Sequence, residues 1–311
     1  MDQATRLRRI IKGESDRIFE FRTKNQNGTF TAVNTPAVFA VTSGKGGVGK
    51  TNIVGNLAIA CQRMGKRVLI FDADLGLANI DIIFGFNPEH NIDEVIRGEK
   101  DLSQIIVKGP EGVSVIPASS GVQELANLTE GHKINLLNEF DNLNSMYDIL
   151  LIDTGAGISS NVLYFNLAAQ ERIIVLTPEP TSITDAYALL KVMYHKHGTK
   201  NFTLLINMAK NEKQAKSVYE NLTKVVDRFL GDIFIDYAGY IPKDDFVVKA
   251  VSKREPVLCS YPEAPCCKKF RQLADYLINR IDKIPLDGNI KFLWKRLIGQ
   301  TAGINNDATN Q

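Results

Sequence analysis

The stretch Val41-Thr42-Ser43-Gly44-Lys45-Gly46-Gly47-Val48-Gly49-Lys50-Thr51 constrains this chain more than any other. The apolar run Ala37 to Val41 leads into it. A helical pattern leaves it, with Ile53, Leu57, Ala60 and Cys61 on one face and Gly65 at its end. Gly44, Gly49, Lys50 and Thr51 satisfy G-x-x-x-x-G-K-[ST] in the order strand, loop, helix. Glycines there let successive backbone N–H groups face a polyphosphate, and the helix N-terminus adds partial positive charge. The expected cradle runs through Gly44, Lys45, Gly46, Gly47, Val48, Gly49, Lys50, Thr51 and Asn52, with Lys50 on the β/γ-phosphates and the Thr51 hydroxyl on Mg²⁺.

Two further apolar strands end in acids. Arg67 to Phe71 delivers Asp72-Ala73-Asp74, and Tyr147 to Ile152 delivers Asp153-Thr154-Gly155-Ala156-Gly157. Beside Mg²⁺ and a triphosphate, Asp72 and Asp74 can organise the metal's water shell and place an attacking water. Asp153 is positioned to hold Mg²⁺ through water, and the Gly157 N–H to sense a γ-phosphate. A short helix at Ile92 to Gly98, strands at Val113 to Ile116, Arg172 to Leu176 and Phe202 to Ile206, and a helix around Asp185 to Tyr194 continue the alternation. The expected class is α/β, a doubly wound and mostly parallel P-loop sheet with amphipathic helices at both ends of the chain.

A chain of 311 residues suits one core of about 250 residues with tails. The expected boundaries are an N-terminal helix and linker over 1–35, the P-loop domain over 36–284 and a C-terminal amphipathic segment over 285–311. With 37 basic and 35 acidic residues the net charge is only +2, which gives no general pull toward nucleic acid. Cys61, Cys259, Cys266 and Cys267 form no C-x-x-C pair, and no signal peptide opens the sequence, so a reduced cytoplasmic compartment is expected. Cys61 and the Cys266-Cys267 pair read as packing residues.

The tails are amphipathic. Asp2 to Lys12 places Leu7, Ile10 and Ile11 at helical spacing among Arg6, Arg8, Arg9 and Lys12, and Ser15 to Thr35 reads as a tether without sustained period. Asn289 to Gln300 aligns Ile290, Leu293, Trp294, Leu297 and Ile298. As an interfacial helix it would sink Phe292 and Trp294 into the acyl boundary and meet anionic lipid through Lys291, Lys295 and Arg296; the same stripe suits a helix docked on the core.

Several of these motifs resemble those of known proteins. K-G-G-V-G-K-T, with Lys45 as a second lysine, resembles the deviant Walker A of the SIMIBI ATPases, the MinD, ParA and nitrogenase iron protein group. That resemblance implies a homodimer sandwiching two ATP–Mg²⁺, with Lys45 reaching the partner subunit's phosphates, so that Lys45, Lys50 and Asp74 carry the catalysis. D-A-D-L-G-L-A-N-I-D over residues 72 to 81 is similar to the MinD-like switch I, which implies that Asp74 positions water and Asp72 is an outer-shell Mg²⁺ contact. Asn207 and Ile241-Pro242-Lys243-Asp244 match the segments that flank the base, and N-K-x-D is absent, which implies ATP rather than GTP.

Asp2-Gln3-Ala4-Thr5-Arg6-Leu7-Arg8 matches the D-Q-A-x-x-L-R motif of the flagellar MinD-like ATPases, the FlhG or FleN/YlxH group. In that family the helix docks on the signal-recognition-type GTPase FlhF, which implies that Gln3 assists GTP hydrolysis there. The resemblance further implies a flagellar transcription regulator or C-ring proteins as partners, and a cytoplasmic protein that sits on the inner face of the membrane when ATP-bound. A MinD proper, which sets the division septum, shares the core but lacks D-Q-A-x-x-L-R. A DNA-partitioning ParA should show a basic surface, so no direct nucleic-acid contact is expected. A nitrogenase-like reductase needs cluster cysteines near the switch regions, and none lies between Cys61 and Cys259.

Overall fold

The structure is a computed structural model that describes residues 22–24, 30–32, 36–74, 79–117, 139, 143 and 145–281. The chain divides into two units, Met1–Asn34 and Thr35–Gln311. In the first, β1 (Arg22–Lys24) pairs antiparallel with β2 (Phe30–Ala32). The sequence there reads as a tether without sustained period. Thr23, Phe30 and Thr31 favour strands, and the Asn27-Gly28 dipeptide between them is a hairpin signal that outweighs the polar composition.

The second unit runs β3 (Ala37–Ser43), α1 (Lys50–Arg63), β4 (Val68–Ala73), α2 (Ile80–Phe84), α3 (Ile92–Ile96), α4 (Leu102–Ile105), β5 (Val107–Lys108), a 3₁₀ turn and β6 (Ser114–Ile116). It continues through β7 (Ile149–Ala156), α5 (Ser160–Ala168), β8 (Glu171–Leu176), α6 (Pro180–His197), β9 (Asn201–Ala209), α7 (Glu212–Phe229), β10 (Phe234–Pro242), α8 (Asp245–Ser252), α9 (Val257–Ser260) and α10 (Pro265–Ile281). The sheet order is β10-β9-β8-β3-β7-β4-β6-β5, parallel throughout except for β5.

β3 lies between β7 and β8, and all seven of its residues are buried. Alternation divides its side chains between two layers. Phe39 and Val41 pack in the core that holds α1 and α10, while Val38 and Ala40 join Phe165 of α5. Burial of each large apolar side chain contributes ~1.5–3 kcal/mol, so the strand that carries the glycine-rich loop is anchored from both faces. α1 is buried on most sides. A Cβ at Gly55 would meet Phe84 Cε1 at 3.0 Å, and the buried Asn56 amide oxygen accepts from Leu258 N at 3.0 Å, tying α1 to α9. Cys61, Cys266 and Cys267 are all fully buried in this core, as packing residues should be. Among the described residues no helix is long and apolar enough to cross a membrane.

Candidate nucleotide-binding site

The sheet's central strands deliver the predicted loops to one end. After β3 the backbone turns through Gly47 and Gly49, at φ 76° and 88°, and α1 starts at Lys50. Positive φ is open to glycine at little cost. Gly49 is the N-cap of α1, no side chain caps it, and no acid stands in the first turn, so the first N–H groups of the helix stay available to an anion. A Cβ at Gly46 or Gly47 would meet nothing within 4 Å, which leaves an open cradle on that side. Gly44 has the opposite setting: its Cβ would collide with the Asp185 carbonyl of α6.

The two loop lysines differ. Lys50 is buried and donates to Ser43 Oγ at 3.1 Å, while that hydroxyl donates to the Lys45 carbonyl at 2.7 Å. Burial lowers the Lys50 pKa, against the opposing pull of the Asp153 and Asp74 carboxylates. Lys45 instead reaches sideways within its own chain, donating to Glu179 Oε2 and to Thr181 Oγ1, each at 2.8 Å. Glu179 is the N-cap of α6, and neither it nor Thr181 belonged to the site as read from sequence. The Glu179-Pro180 helix-start signal could have placed them near the loop, but only the crossing of α6 over Gly44 brings them to Lys45.

The acids converge as well. Asp153 is buried, and among the described residues neither of its carboxylate oxygens has a hydrogen-bond partner at full geometry, though the Thr51 side chain stands near enough to favour its charge. Burial first, then the neighbouring Asp72 carboxylate, push its pKa up to about 8. Asp72 is buried and raised to about 7 by burial, despite accepting from Asp74 N at 3.2 Å and Ile80 N at 3.4 Å. Two buried carboxylates without a cation between them are costly. That chemistry fits a divalent ion, with Asp153, Asp72 and the Thr51 hydroxyl as its holders. Asp74 is half-buried, with Oδ1 only 3.5 Å from where a Gly155 Cβ would stand. The Gly157 N–H donates to the Ser43 carbonyl at 2.9 Å, so in this state it is turned toward the loop strand.

A cleft of about 120 Å³ lies on the other side of Gly49. Asn52, Asn207, Ile241, Pro242, Lys243 and Asp244 line it together, as do Met208 and Phe270, which the sequence reading left out. Met208 directly follows Asn207, and Phe270 sits on a helix distant in sequence, visible only once α10 packs beside β10. The Asp244 carboxylate is occupied in capping: it accepts from Phe246 N at 2.9 Å and from Cys266 N at 3.1 Å, fixing the starts of α8 and α10. Gln3 and the stripe Ile290, Phe292, Leu293, Trp294, Leu297 and Ile298 lie outside the described residues.

A family model described as ParA, NUBPL iron-transfer P-loop NTPase, matches residues 34–278. The chain is 41% identical over 269 residues to the antiactivator FleN of Pseudomonas aeruginosa, covering 85% of this chain and 94% of FleN. It belongs to the ParA/MinD family of P-loop ATPases, in the flagellar FleN/YlxH branch. The flagellum site-determining protein YlxH of Helicobacter pylori is 33% identical to this ATPase over 279 residues, 88% of this chain and 94% of YlxH. Among solved structures, MinD in the MinC:MinD cell division complex of Aquifex aeolicus superposes with TM-score 0.64 at 25% identity, covering 78% of this chain and 96% of that one. The Mg-ADP complex of MinD from Pyrococcus horikoshii superposes with TM-score 0.62 at 23% identity, covering 78% and 96%, and shares the fold.

Proposed function

We propose that this FleN/YlxH-branch ATPase is a dimerising, membrane-associated switch that controls flagellar number or placement by stimulating the GTPase FlhF. The observation that carries the reading is the 41% identity to FleN across 94% of its length. The D-Q-A-x-x-L-R motif at Asp2 to Arg8 supports the GTPase contact, with Gln3 as the assisting residue.

In this reading Lys50 and the N–H groups of Gly46 to Thr51 orient the triphosphate, and Thr51, Asp72 and Asp153 would hold Mg²⁺. Bound there, the ion would supply charge neutralisation for the transferring phosphoryl group. Asp74, beside Gly155, places the attacking water. Lys45 leaves Glu179 and crosses to the partner subunit's phosphates in an ATP homodimer. The apolar stripe Ile290, Phe292, Leu293, Trp294, Leu297 and Ile298 binds lipid marginally from one subunit, and two stripes joined by dimerisation gain effective concentration. Hydrolysis separates them, and the protein returns to the cytoplasm.

The test is GTP turnover by FlhF with the full-length chain added as wild type and as Gln3→Ala. Stimulation by the wild type and its loss in the variant is the expected result. No stimulation by either form would remove FlhF from the proposal and leave the ATPase without this output.

A further inference from the structure

A second cavity lies at the far end of the sheet, where α1 finishes and where β4, β6 and β7 begin. It measures about 140 Å³, and Gln62, Arg67, Lys108, Ser114 and Tyr147 are among its walls. Lys50, Asp72 and Asp153 stand toward the opposite ends of α1, β4 and β7, so this cavity is separate from the nucleotide site. No Asp or Glu lines it among the described residues.

Its polar groups are donors. The Lys108 ammonium donates to Ser114 Oγ at 2.6 Å and lies 5.9 Å from the centroid of the Tyr147 ring, and among the described residues no carboxylate pairs with it. Ser114 is fully buried, and its hydroxyl hydrogen has no acceptor among the described residues. Gln62 accepts from Val68 N through Oε1 at 3.2 Å, which leaves Nε2 and its two hydrogens turned toward Gly112, whose Cβ would stand 3.7 Å away. Asp148, next to Tyr147 in the chain, is already taken up. It accepts from the Arg67 backbone N at 2.8 Å, from Nη2 at 2.8 Å and from Nε at 3.2 Å, while Arg67 Nη1 donates to the Ser145 carbonyl at 2.8 Å.

A cavity that offers N–H and O–H donors beside an uncompensated ammonium suits a ligand that only accepts and carries negative charge. Tyr147 and Val68, both buried, give it walls of low polarity, where a charge-assisted hydrogen bond is stronger than in water. Sites for whole cofactors occupy roughly 300–1,000 Å³, so the space here suits a single oxyanion group. We infer that this cavity is a second anion site, taking inorganic phosphate or the phosphoryl group of a small phosphomonoester. Lys108 Nζ, the Ser114 hydroxyl and Gln62 Nε2 are its donors, and the Arg67–Asp148 pair fixes the wall beside them.

The test is isothermal titration calorimetry with inorganic phosphate and with glycerol phosphate. It uses the full-length protein saturated with Mg–ADP, so that the glycine-rich loop does not take up the added anion. Wild type, Lys108→Met, Ser114→Ala and Lys196→Met are compared, with far-UV circular dichroism of each. Loss of the ammonium should weaken phosphate binding about tenfold, and loss of the hydroxyl about fivefold. Lys196, an exposed lysine of α6 outside the cavity, should be replaceable without effect. The exposed Lys108 keeps the test open if Ser114→Ala misfolds. Uptake of phosphate alone supports a site for the free ion, and uptake of both anions supports one for a phosphorylated small molecule. No uptake of either by the wild type, or binding by Lys108→Met as tight as by the wild type, overturns the inference. So does a loss in Lys196→Met as large as that in Lys108→Met.

Discussion

Asp72 and Asp153 are register partners on the adjacent parallel strands β4 and β7, and both are buried at the sheet end that carries the glycine-rich loop. Parallel pairing in register places two carboxylates side by side, Asp153 facing Lys50 and Thr51 and Asp72 accepting from Asp74 N and Ile80 N. Burial raises both pKa values, to about 7 and about 8, and each carboxylate adds to or feels the other's charge. The metal-free protein carries this as a standing cost, which a divalent cation held there would relieve.

Asp153→Asn should therefore stabilise the metal-free protein. The sign follows from proton uptake: Asp153 has a folded pKa of about 8 against an ordinary 3.8, so the folded state binds the extra proton between these values. Wild-type stability falls as pH rises through that window, and the Asn variant lacks the fall. The gain in melting temperature should grow from pH 5 to pH 8, reaching roughly 3 °C or more, and level off above. Thermal denaturation in EDTA across that range measures it; a gain that shrinks with pH refutes the assignment of the proton. The same variant should lose Mg²⁺-dependent nucleotide binding.

Two glycines of the loop should separate fold from binding. Gly44→Ala drives a methyl into the Asp185 backbone of α6, and a helix backbone cannot give way cheaply. A loss of about 3 kcal/mol in the nucleotide-free protein is expected by denaturant titration. Gly46→Ala meets nothing within 4 Å and should stay within about 0.5 kcal/mol of wild type, while its methyl enters the cradle and weakens nucleotide binding. Equal stability of the two variants would show that α6 does not press on the loop.

Lys45 is shared between two partners in the proposed cycle. Its ion pair with Glu179 is exposed, the two side chains being 36% and 64% accessible, so it is worth no more than about 1 kcal/mol after solvent screening. Glu179→Gln should release Lys45 and tighten ATP-dependent dimerisation by about two- to fivefold, read by sedimentation. Weaker dimerisation would mean that Glu179 serves the dimer directly.

The parallel strands and the acids at their ends were legible because buried strands read as unbroken apolar runs and function sits at their carboxyl ends. The helix Ser160–Ala168 was not, since it carries almost no amphipathic contrast, with buried Val162, Leu163, Phe165, Asn166 and Ala168 crowding its turns. The helix Glu212–Phe229 differs: its stripe Ala215, Val218, Leu222, Val226 is plain in the sequence, but it carries no predicted site residue. The family resemblance singles out Lys45 and Asn207 as candidate positions. What it could not supply is their partners, Glu179 at the start of α6 and the Val48 carbonyl, because those contacts span 134 and 159 residues of chain.

Asp74 allows catalysis to be separated from binding. Unlike Asp72 and Asp153 it is only half-buried, and it lies against Gly155 on the strand that leads to Gly157. Its backbone N–H supports Asp72, a contact that survives loss of the side chain. Asp74→Ala should therefore leave the metal-holding pair intact and keep ATP affinity within about threefold, while turnover falls about 10²- to 10⁴-fold. Phosphate release and equilibrium binding on one preparation measure the two effects. Affinity falling in step with turnover would place Asp74 in the phosphate and metal cradle. Unchanged turnover would remove it from the reaction and turn the search toward residues 75–78, between Asp74 and the start of α2.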